Sequence, residues 1–119
     1  MNADDVIEVI DNDPGEASEL VLAMVRELLE MSAYELGDPA AESSSDLRKE
    51  AGLEVRDLIA GHFRSSGIDP DQGSVLPALF LARALGGVAW PEVGGHYIRV
   101  AQDRYRSEVA AGRERSDQP

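Results

Sequence analysis

The chain has 119 residues, 23 acids against 11 bases, a net charge of −12 and no cysteine. That length fits one domain. Without cysteine there is no disulfide framework, no thiolate nucleophile and no cysteine-bound metal, and the net charge disfavours polyanionic partners. Only Lys49 is a lysine, beside ten arginines, a bias that points to a GC-rich genome and a salt-rich cytoplasm where ions screen the repulsion.

The charge is uneven. Residues 1–60 hold sixteen acids and four bases; residues 99–119 hold four acids and five arginines. The opening Met1-Asn2-Ala3-Asp4-Asp5 is acidic where a secretory leader is basic and then apolar. The longest apolar run, Val75 to Ala82, is broken by Pro77 and is too short to span a bilayer. A cytoplasmic protein with no membrane association is the expectation.

Apolar spacing is helical throughout, and no stretch alternates as a strand does. A first helix is predicted from about Ala3 to Ile10, carrying Val6, Ile7, Val9 and Ile10. It stops at Asp11-Asn12-Asp13. Asp13 as cap, Pro14 at the first position and Glu16 three residues after the cap open a second helix. Its stripe of Leu20, Val21, Met24, Val25, Leu28, Leu29 and Met31 runs toward Leu36, where Gly37-Asp38-Pro39 ends it. Residues 37–45 read as a loop whose serines 43–45 can cap. The third helix, about Asp46 to Arg64, sets Leu47, Ala51, Val55, Leu58, Ile59, His62 and Phe63 on one face. Gly67 is placed to close it in the left-handed conformation.

The fourth helix, about Val75 to Leu85, is apolar nearly all round, with Arg83 its single charge. Such a helix is buried at the centre or covered by a second chain. Gly86-Gly87 stops it and Trp90-Pro91 opens the last helix, with Val93, Tyr97, Val100, Ala101 and Tyr105 on one face. Gly94-Gly95 costs up to about 1 kcal/mol per residue against alanine in a helix interior; close approach of a neighbouring backbone explains its presence. The expected fold is all-α, a small bundle or orthogonal array of four main helices plus a short amino-terminal one. One domain covers residues 1–111, and residues 112–119 form a disordered tail. The predicted core is Leu20, Met24, Leu28, Met31, Val55, Leu58, Ile59, Phe63, Leu76, Leu79, Phe80, Leu85, Trp90, Tyr97 and Val100.

Chemistry-bearing patterns are sparse. His62, His96, Glu92 and Asp57 are the residues from which a metal site would be built. Two histidines on different helices, with one Glu-x-x-x-His spacing, lack a metal-ligand pattern. No serine stands in a nucleophile elbow, no glycine pair precedes Lys-Ser/Thr as in a phosphate loop, and Asp69-Pro70-Asp71-Gln72-Gly73 lacks the ligand series of a calcium loop. Neither enzyme, cofactor nor metal is expected.

Three binding readings follow. The first is a protein–protein interaction module (homodimer, small subunit or adaptor) using Val75, Leu76, Leu79, Phe80, Leu81 and Leu85. In the second, residues 79–106 form a helix–turn–helix with His96, Arg99, Arg104 and Arg106 toward a nucleic-acid groove, against which the overall charge argues. In the third, Glu8, Asp11, Asp13, Glu16, Glu19, Glu27, Glu30 and Glu35 imitate a phosphate row, although charge runs are usually solvated faces. The first is favoured because the apolar circumference of the fourth helix exceeds one packing face.

Overall fold

The computed structural model describes residues 1–72 and 76–116. Six α-helices account for most of them: α1 (Ala3–Asp11), α2 (Ala17–Met31), α3 (Pro39–Ser43), α4 (Ser45–Ser65), α5 (Leu76–Gly86) and α6 (Trp90–Ser116), with a 3₁₀ turn at Pro70–Gln72. No strand occurs among the described residues. α6 passes Gly112, where the tail was expected to begin, and residues 117–119 lie outside the described residues.

Local chemistry sets most boundaries. Asn2 caps α1 by accepting the Asp5 amide, while the Asp5 carboxylate accepts the Asn2 amide, a reciprocal capping box. Ser44 caps α4 through the Leu47 amide. α4 closes as expected at Gly67, whose φ is +85°. The Ile68 amide donates to the Phe63 carbonyl and the Gly67 amide to that of Arg64, the paired bonds of a Schellman motif.

α2 departs from expectation at both ends. It starts at Ala17, after Glu16 in the left-handed region at φ +61°. Asp13 still serves the helix start, accepting the Ala17 amide at 3.2 Å, but Asp13-Pro14-Gly15-Glu16 is spent on a turn. At the far end the Ser32 hydroxyl donates to the Leu29 carbonyl and accepts the Tyr34 amide. A side chain that satisfies both groups competes with helix continuation, so α2 stops at Met31. The expected loop then contains α3: Asp38 accepts the Ala40 amide and Pro39 takes the first helical position. Asp38-Pro39 starts a helix rather than ending one.

α6 is the axis of the core, with α4, α2, α1 and α3 packed on it. Its Trp90, Val93, Tyr97, Ile98 and Ala101 are buried against Leu47, Ala51 and Val55 of α4, Val21, Val25 and Leu29 of α2, and Val6 and Ile10 of α1. The crossing of α4 and α6 is glycine-lined. A β-carbon on Gly94 would lie 2.5 Å from the Gly52 nitrogen and overlap the Arg48 carbonyl, and one on Gly52 would lie 2.5 Å from the Trp90 carbonyl carbon. The close approach expected at Gly94-Gly95 is present, with Gly52 as its counterpart.

The predicted core needs correction at five positions. Leu20, Met31, Leu76, Leu79 and Phe80 are exposed. α5 is not central: it packs chiefly on the 3₁₀ turn, with Ala78 and Leu85 as its buried residues. The molecule measures 64 × 30 × 22 Å, and its radius of gyration of 16.6 Å exceeds the roughly 13.5 Å of a compact chain this long. An elongated shape leaves too few neighbours to cover an apolar helix on every side.

Candidate functional site

Besides Met1, Met31 and Leu53, which belong to neither, the exposed large apolar side chains fall into two parts. The first is a stripe on α5. Leu76, Leu79 and Phe80 are 65%, 47% and 69% exposed, and positions i, i+3 and i+4 share one helical face. Arg83, one turn further along, is exposed and has no ion pair among the described residues. Of the other expected interface residues, Leu81 packs partly against the core and Leu85 is buried. Val75 lies outside the described residues.

The second part is a groove that the sequence pattern did not single out. α1 and α2 form one wall and the carboxy-terminal half of α4 the other. The apolar face of α4 runs past the point where Gly52 meets Trp90 on α6, so Leu58, Ile59 and Phe63 lose that cover. With Val9, Ile10, Ala17 and Leu20 they line an open groove of about 340 Å³, with Asp13 and His62 in its lining. Val9 and Leu20 are 65% and 58% exposed. The helical period of α4 was legible, but the place where its covering helix begins is a tertiary fact.

The residues of the nucleic-acid reading do not form a basic row. Arg104 is held by both oxygens of Glu19 at 2.9 Å. Arg106 reaches Glu42 at 2.9 Å, Asp103 at 3.0 Å and the Gly37 carbonyl at 3.1 Å. His96 is half-buried with its ring edge-on to Tyr97, and Arg99 is exposed. The bond from Arg104 holds the Glu19 carboxyl below its ordinary range. Arg26 on α2 meets Glu108 on α6 at 3.1 Å. The two halves of opposite charge bias are thus joined across α6. α5 and α6 follow one another as a helix–turn–helix would, but α6 packs along α4 rather than on α5.

The acidic row is partly used internally too. Besides Glu19 and Asp13, Asp11 accepts the Tyr97 hydroxyl at 3.0 Å, and Glu30 lies 3.5 Å from Arg26. Burial, reinforced by the Asp11 bond, pushes the Tyr97 phenol well above its ordinary range, so it stays protonated. Glu8, Glu16, Glu27 and Glu35 remain exposed. Asp69 and Asp71 are paired with Arg64, and Asp71 also lies 3.8 Å from Arg56. Among the described residues no three histidine or carboxylate side chains gather as metal ligands. His62 sits at the groove, while Glu92 and Asp57 are exposed.

Gln102 is the buried polar residue that sequence reasoning missed. Its carbonyl oxygen accepts the Gly37 amide at 2.7 Å and its amide donates to the Asp38 carbonyl at 2.9 Å. It ties the α2–α3 connection to α6. A glutamine in a helix carries no signal of its burial.

The charge distribution has a measurable consequence. Exposed ion pairs contribute little and are screened by salt, whereas the −12 charge acts on the whole chain. The thermal midpoint is expected to rise between low salt and about 1 M salt, where the Debye length is roughly 3 Å. An unchanged or lower midpoint would show that the pairs across α6 outweigh the repulsion.

No family model, curated protein or solved structure matches this chain. No described helix is long and apolar enough to cross a membrane.

Proposed function

We propose that the protein acts by binding other protein chains rather than by catalysis, and that the α5 face is its contact surface. The observation that carries the reading is the outward stripe of Leu76, Leu79 and Phe80. A contiguous apolar surface on a small acidic protein marks an interaction site. The arginines that a nucleic-acid reader would extend are largely engaged with carboxylates of the same chain, which favours a protein partner.

The test is photocrosslinking from position 80. With a benzoyl-phenylalanine in place of Phe80, and one at exposed Lys49 as control, irradiation at micromolar concentration is expected to yield crosslinked protein from position 80 well above the control. A yield from position 80 no higher than the control, both in purified protein and in cell extract, would sink the reading.

A further inference from the structure

We infer that the α1–α2–α4 groove receives the α5 stripe of a second copy of this chain, reciprocally, in a two-fold dimer. This rests on the binding reading above and names the partner of that surface.

Two observations select a second copy. The first is dimensional. Leu58 to Phe63 spans about one and a half turns on the groove wall, and Leu76 to Arg83 about two turns of α5, or roughly 7.5 and 10.5 Å at 1.5 Å per residue. The groove therefore admits the ridge of one short helix. The second is charge. Asp13 lines the groove, and α1 and α2 carry a strong acidic excess. An acidic helix is repelled there, and the net −12 of each copy opposes pairing as a whole, so the match has to be local. α5 bears no acid and one base, Arg83, placed at the end of its apolar stripe. It can lay Leu76, Leu79 and Phe80 along Leu58, Ile59 and Phe63 while its guanidinium reaches the acidic rim at Asp13.

Both complementary surfaces lie on one chain, so each copy offers what the other lacks. A two-fold axis then makes both contacts at once, since in such an interface residue i meets j and j meets i.

The experiment uses two charge-neutral variants of the full chain at exposed positions, so that neither the net charge nor the core changes. One is Leu79→Gln with Phe80→Gln, which removes the stripe; the other is Val9→Gln with Leu20→Gln, which removes the groove lip. Helicity and thermal midpoint verify that both fold. In sedimentation, wild type is expected as a dimer of the 12.8 kDa chain at micromolar concentration. Each variant alone is expected to dimerise at least about thirtyfold more weakly, because both contacts of its dimer are impaired. Mixing the two in equal amounts restores one intact stripe–groove contact, and a heterodimer forms where neither variant pairs with itself. If the groove variant dimerises like wild type, or mixing rescues nothing, the groove is not the receptor, though α5 stands as a contact surface. A wild-type chain still monomeric at about 100 µM overturns the dimer and leaves the α5 face to a different protein, which the position-80 crosslink detects independently.

Discussion

Gly94→Ala and Gly52→Ala are each expected to lower the thermal midpoint by about 12 °C or more, taking roughly 4 °C per kcal/mol for a chain of this size. Helix propensity predicts the opposite sign, since alanine is favoured over glycine by up to about 1 kcal/mol in a helix interior. The crossing of α4 and α6 decides between them. A methyl group on Gly94 would lie 2.5 Å from the Gly52 nitrogen, and one on Gly52 would lie 2.5 Å from the Trp90 carbonyl carbon, where carbon atoms rest at about 3.5 to 4.0 Å. These neighbours are backbone atoms, so no rotamer change relieves the overlap. The helices must separate, loosening Ala51, Val55, Val93 and Tyr97 together. Overpacking costs about 1–3 kcal/mol where side chains can adjust and more where they cannot. Gly61 is the internal control. It lies in α4, where an added methyl would have no neighbour within 4 Å, and Gly61→Ala is expected to raise the midpoint by a few degrees. Equal shifts for all three variants would mean that the close crossing contributes nothing.

Gln102→Leu is the second large effect, with an expected loss of about 1–3 kcal/mol in urea unfolding, the cost of one buried group left unsatisfied. Leucine keeps the approximate volume but leaves the half-buried Gly37 amide without its partner. The Asp38 carbonyl loses one of two donors and still accepts the Ala41 amide at 3.1 Å. The same substitution is expected to speed hydrogen exchange at the Gly37 amide toward that of an open loop, because the bond at 2.7 Å protects it. Arg106 also binds the Gly37 carbonyl, so the connection keeps one anchor. A loss below about 1 kcal/mol with unchanged exchange would show that water replaces the glutamine.

What was legible in the sequence was local. The start of α1, the extent of α4, the left-handed closure at Gly67 and the close approach at Gly94 all follow from caps, periodicity and backbone freedom near one position. What was not legible depended on competition between local options or on distant neighbours. Asp13-Pro14 and Asp38-Pro39 carry the same start signal; the first became a turn and the second opened α3. Leu76, Leu79 and Phe80 are as apolar as Val93 or Ile98. Hydrophobicity states what a residue costs in water and not which helix arrives to cover it, so the core assignment on α5 failed while the leftover apolar surface was anticipated. The groove arises because α6 begins at Trp90 opposite Gly52, leaving Leu58, Ile59 and Phe63 of α4 only half-covered.

The central place of α6 bears on how the chain is made. α1, α2, α3 and α4 all pack on this last helix. Domains fold as they leave the ribosome at about 5–20 residues per second. Residues 1–89 are made before that axis, and until it is complete α1 to α4 have only their fewer contacts with one another. The acidic excess of residues 1–60 is unrelieved over that interval, and Arg104 and Arg106 pair with Glu19 and Glu42 only once α6 is made. A chain cut before α6 is expected to stay open to proteases along residues 1–89, since the helix on which the others pack is missing.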